Sequence, residues 1–171
     1  MRASTLALAS ALLAPPAAAA PLKAELAGLS FLLGSWTSGA GKVAETGGTS
    51  KGASEFTAEA GGSVLLRRDH TDLFDAAGKP AGGFDQLMTI YAEADAVHAD
   101  YFDGTHIIHY ATATIVPGRS VTFFGPAAPE APAFKLTCEL HGSTLAVTFA
   151  MAPPGQPAFR PIATGTMQRG G

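Results

Sequence analysis

The sequence predicts an all-β protein: a closed ten-strand antiparallel up-and-down barrel with a short N-terminal helix capping one end. Three observations carry this reading. Beyond residue 29 the apolar residues recur with a period of two and never return to helical spacing. The strand-like segments are six to eleven residues long and are punctuated by Gly, Pro and Asp-Gly turns. Most connections are short, so neighbours pair antiparallel, and closing such a meander disposes of its two open edges. A sandwich is the rival architecture, but Greek-key crossovers need longer links.

The first nineteen residues stand apart from this pattern. Arg2 gives a positive start, residues 5–14 are apolar and uncharged, and Pro15 and Pro16 break the run. Ala17 and Ala19 supply the small residues of a cleavage site after Ala19, so residues 1–19 read as a secretory signal peptide. Residues 20–171 then form a single domain, exported to the periplasm or secreted. The formal net charge of −3, with no Lys/Arg run, argues against nucleic acid and against an anionic membrane as partners. Cys138 is the sole cysteine, so no internal disulfide can form; among apolar neighbours it reads as buried filler.

Residues 21–29 carry Leu22, Leu26 and Leu29 at helical spacing, with Gly28 shortening the helix. Ten strands follow, at 35–44, 50–58, 63–73, 84–91, 97–102, 106–116, 119–124, 133–140, 144–150 and 159–167. The loop at 75–83 is glycine-rich and suits a mobile mouth; those at 125–132 and 152–157 are stiffened by proline.

Where helix gives way to the first strand stands Phe31-Leu-Leu-Gly-Ser-Trp36, which holds the only tryptophan. A Gly-x-Trp after a leucine-rich helix and before ten strands resembles the calycin superfamily, the lipocalin and fatty-acid-binding-protein barrels. The likeness is nearest to their uncharacterised secreted bacterial members and more distant to nitrobindin-type haem proteins. It implies that Gly34 and Trp36 are structural, the Trp closing one end beneath the helix. The haem-ligating histidine of nitrobindins lies late in the chain; residues 159–167 contain none, so that role does not carry over and no cofactor is expected.

Two polar clusters are candidates for lining a cavity. In 97–110, Asp103-Gly104 suits a two-residue hairpin turn that pairs Phe102 with Thr105, Asp100 with Ile107 and His98 with His109. His98, Asp100, Phe102, Ile107 and His109 then share one face, with Tyr101 and Tyr110 on the other. Two imidazoles and a carboxylate could orient a ligand, form an acid–base pair, or offer three ligands to a metal, although ligand lining is favoured. A longer loop would exchange His109 for His106. In 65–72, alternation sets Leu66, Arg68, His70 and Asp72 against Leu65, Arg67, Asp69 and Thr71. Arg68 is preferred as a ligand partner because it shares a face with Leu66 and His70; the alternative is a solvated strand.

These features predict a monomer or weak dimer that holds a small apolar or amphipathic molecule in its lumen. Arg68, His70, His98, Asp100, His109 and Tyr110 would form the binding set, with no metal and no assigned catalytic residue. The alternatives are a small isomerase, cyclase or hydrolase using the His/Asp cluster, or a haem- or metal-binding barrel.

Overall fold

The computed structural model describes residues 21–128 and 130–170, so the leader expected at 1–19 lies outside the described residues. The chain begins with a 3₁₀ helix, Ala24–Leu32, and continues through β1 (Gly34–Val43) and β2 (Thr49–Glu59). A 3₁₀ turn at Ala60–Gly62 leads to β3 (Val64–Phe74), β4 (Pro80–Glu93) and β5 (Ala96–Phe102). Then come β6 (Ile107–Tyr110), β7 (Thr112–Val116) and β8 (Ser120–Gly125), followed by β9 (Ala133–His141), β10 (Thr144–Ala152) and β11 (Arg160–Arg169). All eleven strands form one antiparallel sheet in the order β6-β5-β4-β3-β2-β1-β11-β10-β9-β8-β7.

The expectation of a closed ten-strand barrel is therefore corrected: the hydrogen-bonded ladder is open and has two ends, β6 and β7. The physical reason lies at Ala111. The single strand expected over 106–116 would have to bond on both edges to seal the seam. Instead it divides; β6 pairs with β5, β7 pairs with β8, and the Ala111 N–H hands over by donating to Phe124 O (2.9 Å). The sheet nonetheless curls strongly. Register shifts in β1 between Ser38 and Gly41, in β10 between Phe149 and Ala150, and in β3 between Leu73 and Phe74 bend it towards a concave inner face.

The helix forms three residues later than expected, and its type follows from spacing. Leu26, Leu29 and Leu32 recur every third residue, the repeat of a 3₁₀ helix, so all three lie along one edge and are fully buried. Gly28 sits at a close approach rather than at a helix stop. A side-chain carbon there would meet Ile115 at 3.1 Å, and Gly28 O accepts the Gly118 N–H (3.0 Å).

Beneath the helix, one end of the concave face is filled solid. Trp36, Phe56, Leu65, Met88, Ile90, Val121, Phe123, Cys138 and Leu145 pack with the helix leucines. Burying each large apolar side chain stabilises the fold by about 1.5–3 kcal/mol, which makes this plug its main anchor. Trp36 is completely buried and its indole N–H donates to Leu32 O (2.7 Å). Gly34 takes φ +105°, a left-handed value that lets the chain turn from helix into β1.

The glycine-rich loop is shorter than its composition suggests. Asp75 Oδ1 accepts from the Ala77 and Lys79 amides (2.9 and 2.8 Å), and β4 resumes at Pro80.

Candidate binding site on the concave face

The end of the concave face away from the helix is hollow. A cavity of about 680 Å³ is bordered by residues of β1 to β6 and of β9 to β11. Its walls include Leu136, Val147, Phe149 and Met167, and Glu45, Leu73, Phe84, His106 and Ile162 also border it. That volume lies within the range typical of small-molecule sites.

Strand alternation sets the polar groups. Leu65 is fully buried in the plug, so the residues in phase with it, Arg67 and Asp69, also face inward. Arg67 Nε donates to Asp69, 2.9 Å from Oδ1 and 2.8 Å from Oδ2. The two side chains are only 12% and 5% exposed. Desolvation works against the guanidinium charge, but Asp69, together with Cys138 and Tyr101, outweighs it and holds Arg67 above its ordinary value. The Arg67 guanidinium also lies over the Phe56 ring, 5.5 Å from its centre.

Two tyrosines complete this polar floor. Tyr110 on β6 is 2% exposed, and burial pushes its phenol well above the ordinary range, so it stays protonated as a donor. Burial, followed by the neighbouring Asp103, does the same to Tyr101, whose hydroxyl donates to Asp103 Oδ2 (3.2 Å). Among the described residues, neither terminal nitrogen of Arg67 nor the Tyr110 hydroxyl has a protein partner. Both residues line the cavity, so these donors are available to whatever occupies it.

The sequence-derived cluster at 97–110 lies elsewhere. The β5–β6 register pairs Phe102 with Ile107 and Asp100 with His109, two residues away from the pairing a two-residue turn would produce. Asp103 opens a wider loop by accepting the amides of Thr105 (2.9 Å) and His106 (2.6 Å). Burial acts to raise Asp103, but these amides and the His106 ring outweigh it and lower its pKa. A shift of two preserves the faces: His98, Asp100, Phe102, Ile107 and His109 do share one, and it is the convex outer face. Ile107 is 62% exposed while Ile108 and Tyr110 are buried.

On that outer face Asp100 accepts from Tyr91 (3.1 Å) and pairs with His109 Nδ1 (2.6 Å), while His98 stacks on Tyr91 with ring centres 5.8 Å apart. His98 and His109 therefore do not converge on one centre. Among the described residues no group of three or more His, Cys, Asp or Glu side chains is placed to hold a metal ion. Arg68 is exposed and reaches only Glu59 at 3.9 Å. The His70 ring is turned outward to Asp85 (2.7 Å) and Asp72 (3.4 Å). Of the six residues expected to bind a ligand, Tyr110 is the one whose side chain faces the cavity floor. Arg67, Asp69 and Tyr101 also border the cavity; the parity that Arg67 and Asp69 share with Leu65 is visible in the sequence, but that this parity faces inward is set by the packing of Leu65 in the plug.

The expected barrel binder with a lumenal apolar or amphipathic ligand is thus corrected, together with its catalytic, haem- and metal-binding alternatives. Among the described residues the ladder does not close, His98 and His109 share the outer face with exposed Ile107, and no group of three or more His, Cys, Asp or Glu side chains is placed to hold a metal ion. Among the described residues no helix is long and apolar enough to cross a membrane.

No family model matches the chain, and no curated protein matches it. Among solved structures, the chain is similar to the crystal structure of Rv2717c from M. tuberculosis, with a TM-score of 0.60 and 21% identity. The match covers 88% of this chain and 99% of that one, and at this identity it is a likeness of fold. The resemblance to the calycin superfamily and its lipocalin-like members is corrected accordingly: the sheet is open, and what is supported is this distant likeness to the mycobacterial protein.

Proposed function

We propose that the protein binds a small organic molecule in the cavity of the concave face, held at one end by a hydrogen-bond-acceptor head. The carrying observation is the pair of unpartnered donors on the cavity floor, the Arg67 terminal nitrogens and the Tyr110 hydroxyl. Aromatic and aliphatic walls supply contact area, and a charged donor aimed into a half-dry space supplies orientation. A hydrogen bond from such a donor contributes about 1.5–3 kcal/mol to binding, which is roughly tenfold to a hundredfold in affinity.

The same reading takes residues 20–171 as one domain and a monomer or weak dimer. It takes the protein as periplasmic or secreted on the strength of the leader at 1–19. N-terminal sequencing of protein purified from its host tests the export: a chain beginning at Ala20 supports it, and one beginning at Met1 refutes it.

The binding test uses two fluorescent probes, the naphthyl ketone prodan and the matching dimethylamino-naphthoate, titrated into the purified full chain. Saturable binding of at least one is expected. Tyr110→Phe should weaken it about threefold to tenfold. The double variant Arg67→Met/Asp69→Leu, which removes the pair without stranding a buried charge, should weaken it about tenfold or more. His98→Asn/His109→Asn, on the outer face, should leave it within twofold. Failure of both probes to bind, or indifference to the floor variants, would refute the reading.

A further inference from the structure

We infer that the head group accepted by this site is uncharged, a carbonyl of the ketone, ester or amide kind, and not a carboxylate. The inference rests on the binding reading above and deepens it. An arginine facing a cavity invites an anion because its fork matches two oxygens. Here that charge is already matched within the protein. Asp69 sits two residues along the same strand face and takes the Arg67 Nε with both carboxylate oxygens, at 2.9 and 2.8 Å. Both side chains are nearly out of water, so solvent screens little of the field between them.

Among the described residues no second cation stands beside Arg67 to offset an incoming anion. Of the other ionisable residues bordering the cavity, Asp103 is bonded to Tyr101 and His106, and Glu45 adds a further carboxylate. His70 is engaged by Asp85 and Asp72 outside. Lys51 lies over the Phe74 ring at 5.5 Å. A carboxylate on the Arg67 terminal nitrogens would therefore stand one guanidinium width from Asp69, giving two buried negative charges to one positive. A neutral carbonyl accepts from the same nitrogens and from Tyr110 without that repulsion. Asp69 thus acts as a filter on ligand charge as well as a clamp on the arginine.

The probe pair tests this directly. With the full chain near neutral pH, prodan should bind at least about tenfold tighter than the naphthoate. Asp69→Asn should reverse the order, the naphthoate gaining about tenfold or more because Arg67 is left uncompensated. Circular dichroism first checks that this variant is folded. A second measurement needs no variant: any naphthoate bound by the native protein should enter as the acid. Calorimetry in buffers of different ionisation enthalpy should then register uptake of about one proton per probe. Naphthoate binding as tight as prodan, or binding without proton uptake, would overturn the inference while leaving the cavity as a binding site. Binding of neither probe would overturn the site itself.

Discussion

Arg169, at the end of β11, is the residue whose loss should be felt most for its position in the chain. Its Nη2 donates to Phe31 O (2.8 Å) and its Nη1 to Leu33 O (2.7 Å), while Trp36 Nε1 takes Leu32 O between them. Three successive carbonyls at the helix C-terminus, which have no partners within the helix, are thus satisfied by two side chains. The Arg169 guanidinium also lies 4.3 Å from the Trp36 ring centre. Arg169→Ala removes two hydrogen bonds from a charged donor, each discounted below the usual range of about 1.5–3 kcal/mol because the residue is exposed, to about 1 kcal/mol apiece. The cation–π contact adds about 0.5–1 kcal/mol. The expected loss is about 2–3 kcal/mol, or a fall in Tm of about 5–10 °C for a domain of this size. Urea unfolding followed by the fluorescence of Trp36, the only tryptophan, reads this as a lower midpoint with unchanged slope. Arg169→Lys keeps the charge but not the fork and should recover less than half. A loss below about 1 kcal/mol in the alanine variant would refute the argument that this arginine fastens the plug.

Two further outcomes follow from local environments. The hydrogen bond that the His70 ring donates to Asp85, which outweighs desolvation, together with Asp72 raises His70 above its ordinary value of 6.5. Because the folded-state value is the higher one, this contribution to stability is complete below the unfolded value and is lost as pH rises through the folded one. NMR titration should place the His70 midpoint above 6.5 and Asp85→Asn should lower it; a native midpoint at or below 6.5 contradicts the pairing. Burial pushes the Cys138 thiol up to about 11. It should resist Ellman's reagent at about pH 8 in the native protein and react on unfolding; complete native labelling within minutes would show that the core under β8–β10 opens readily.

Strand alternation made much of the sheet legible in advance. His98, Asp100, Phe102, Ile107 and His109 share a face as their spacing implies, even though the hairpin register differs by two residues. A two-residue slip preserves side-chain parity, whereas a one-residue slip would have inverted it. The leucines before Trp36 also marked a helix, and its 3₁₀ character is written in the spacing of Leu26, Leu29 and Leu32. Alternation alone could not say which parity faces inward. On β3 both faces carry a leucine, an arginine and an aspartate, so composition could not choose between Arg67 and Arg68.

The sequence by itself therefore determined local periods, turns and the membership of each face, because these depend on neighbours a few residues away. The tertiary structure alone decided the rest. The helix plug set the phase of β3 by burying Leu65, which turned Arg67 and Asp69 inward and Arg68 and His70 outward. The hand-over at Ala111 left the ladder open. Arg169 met the carbonyls of Phe31 and Leu33 across more than 130 residues of chain. Each of these depends on groups distant in sequence and brought together by the curl of the sheet, which no local pattern encodes.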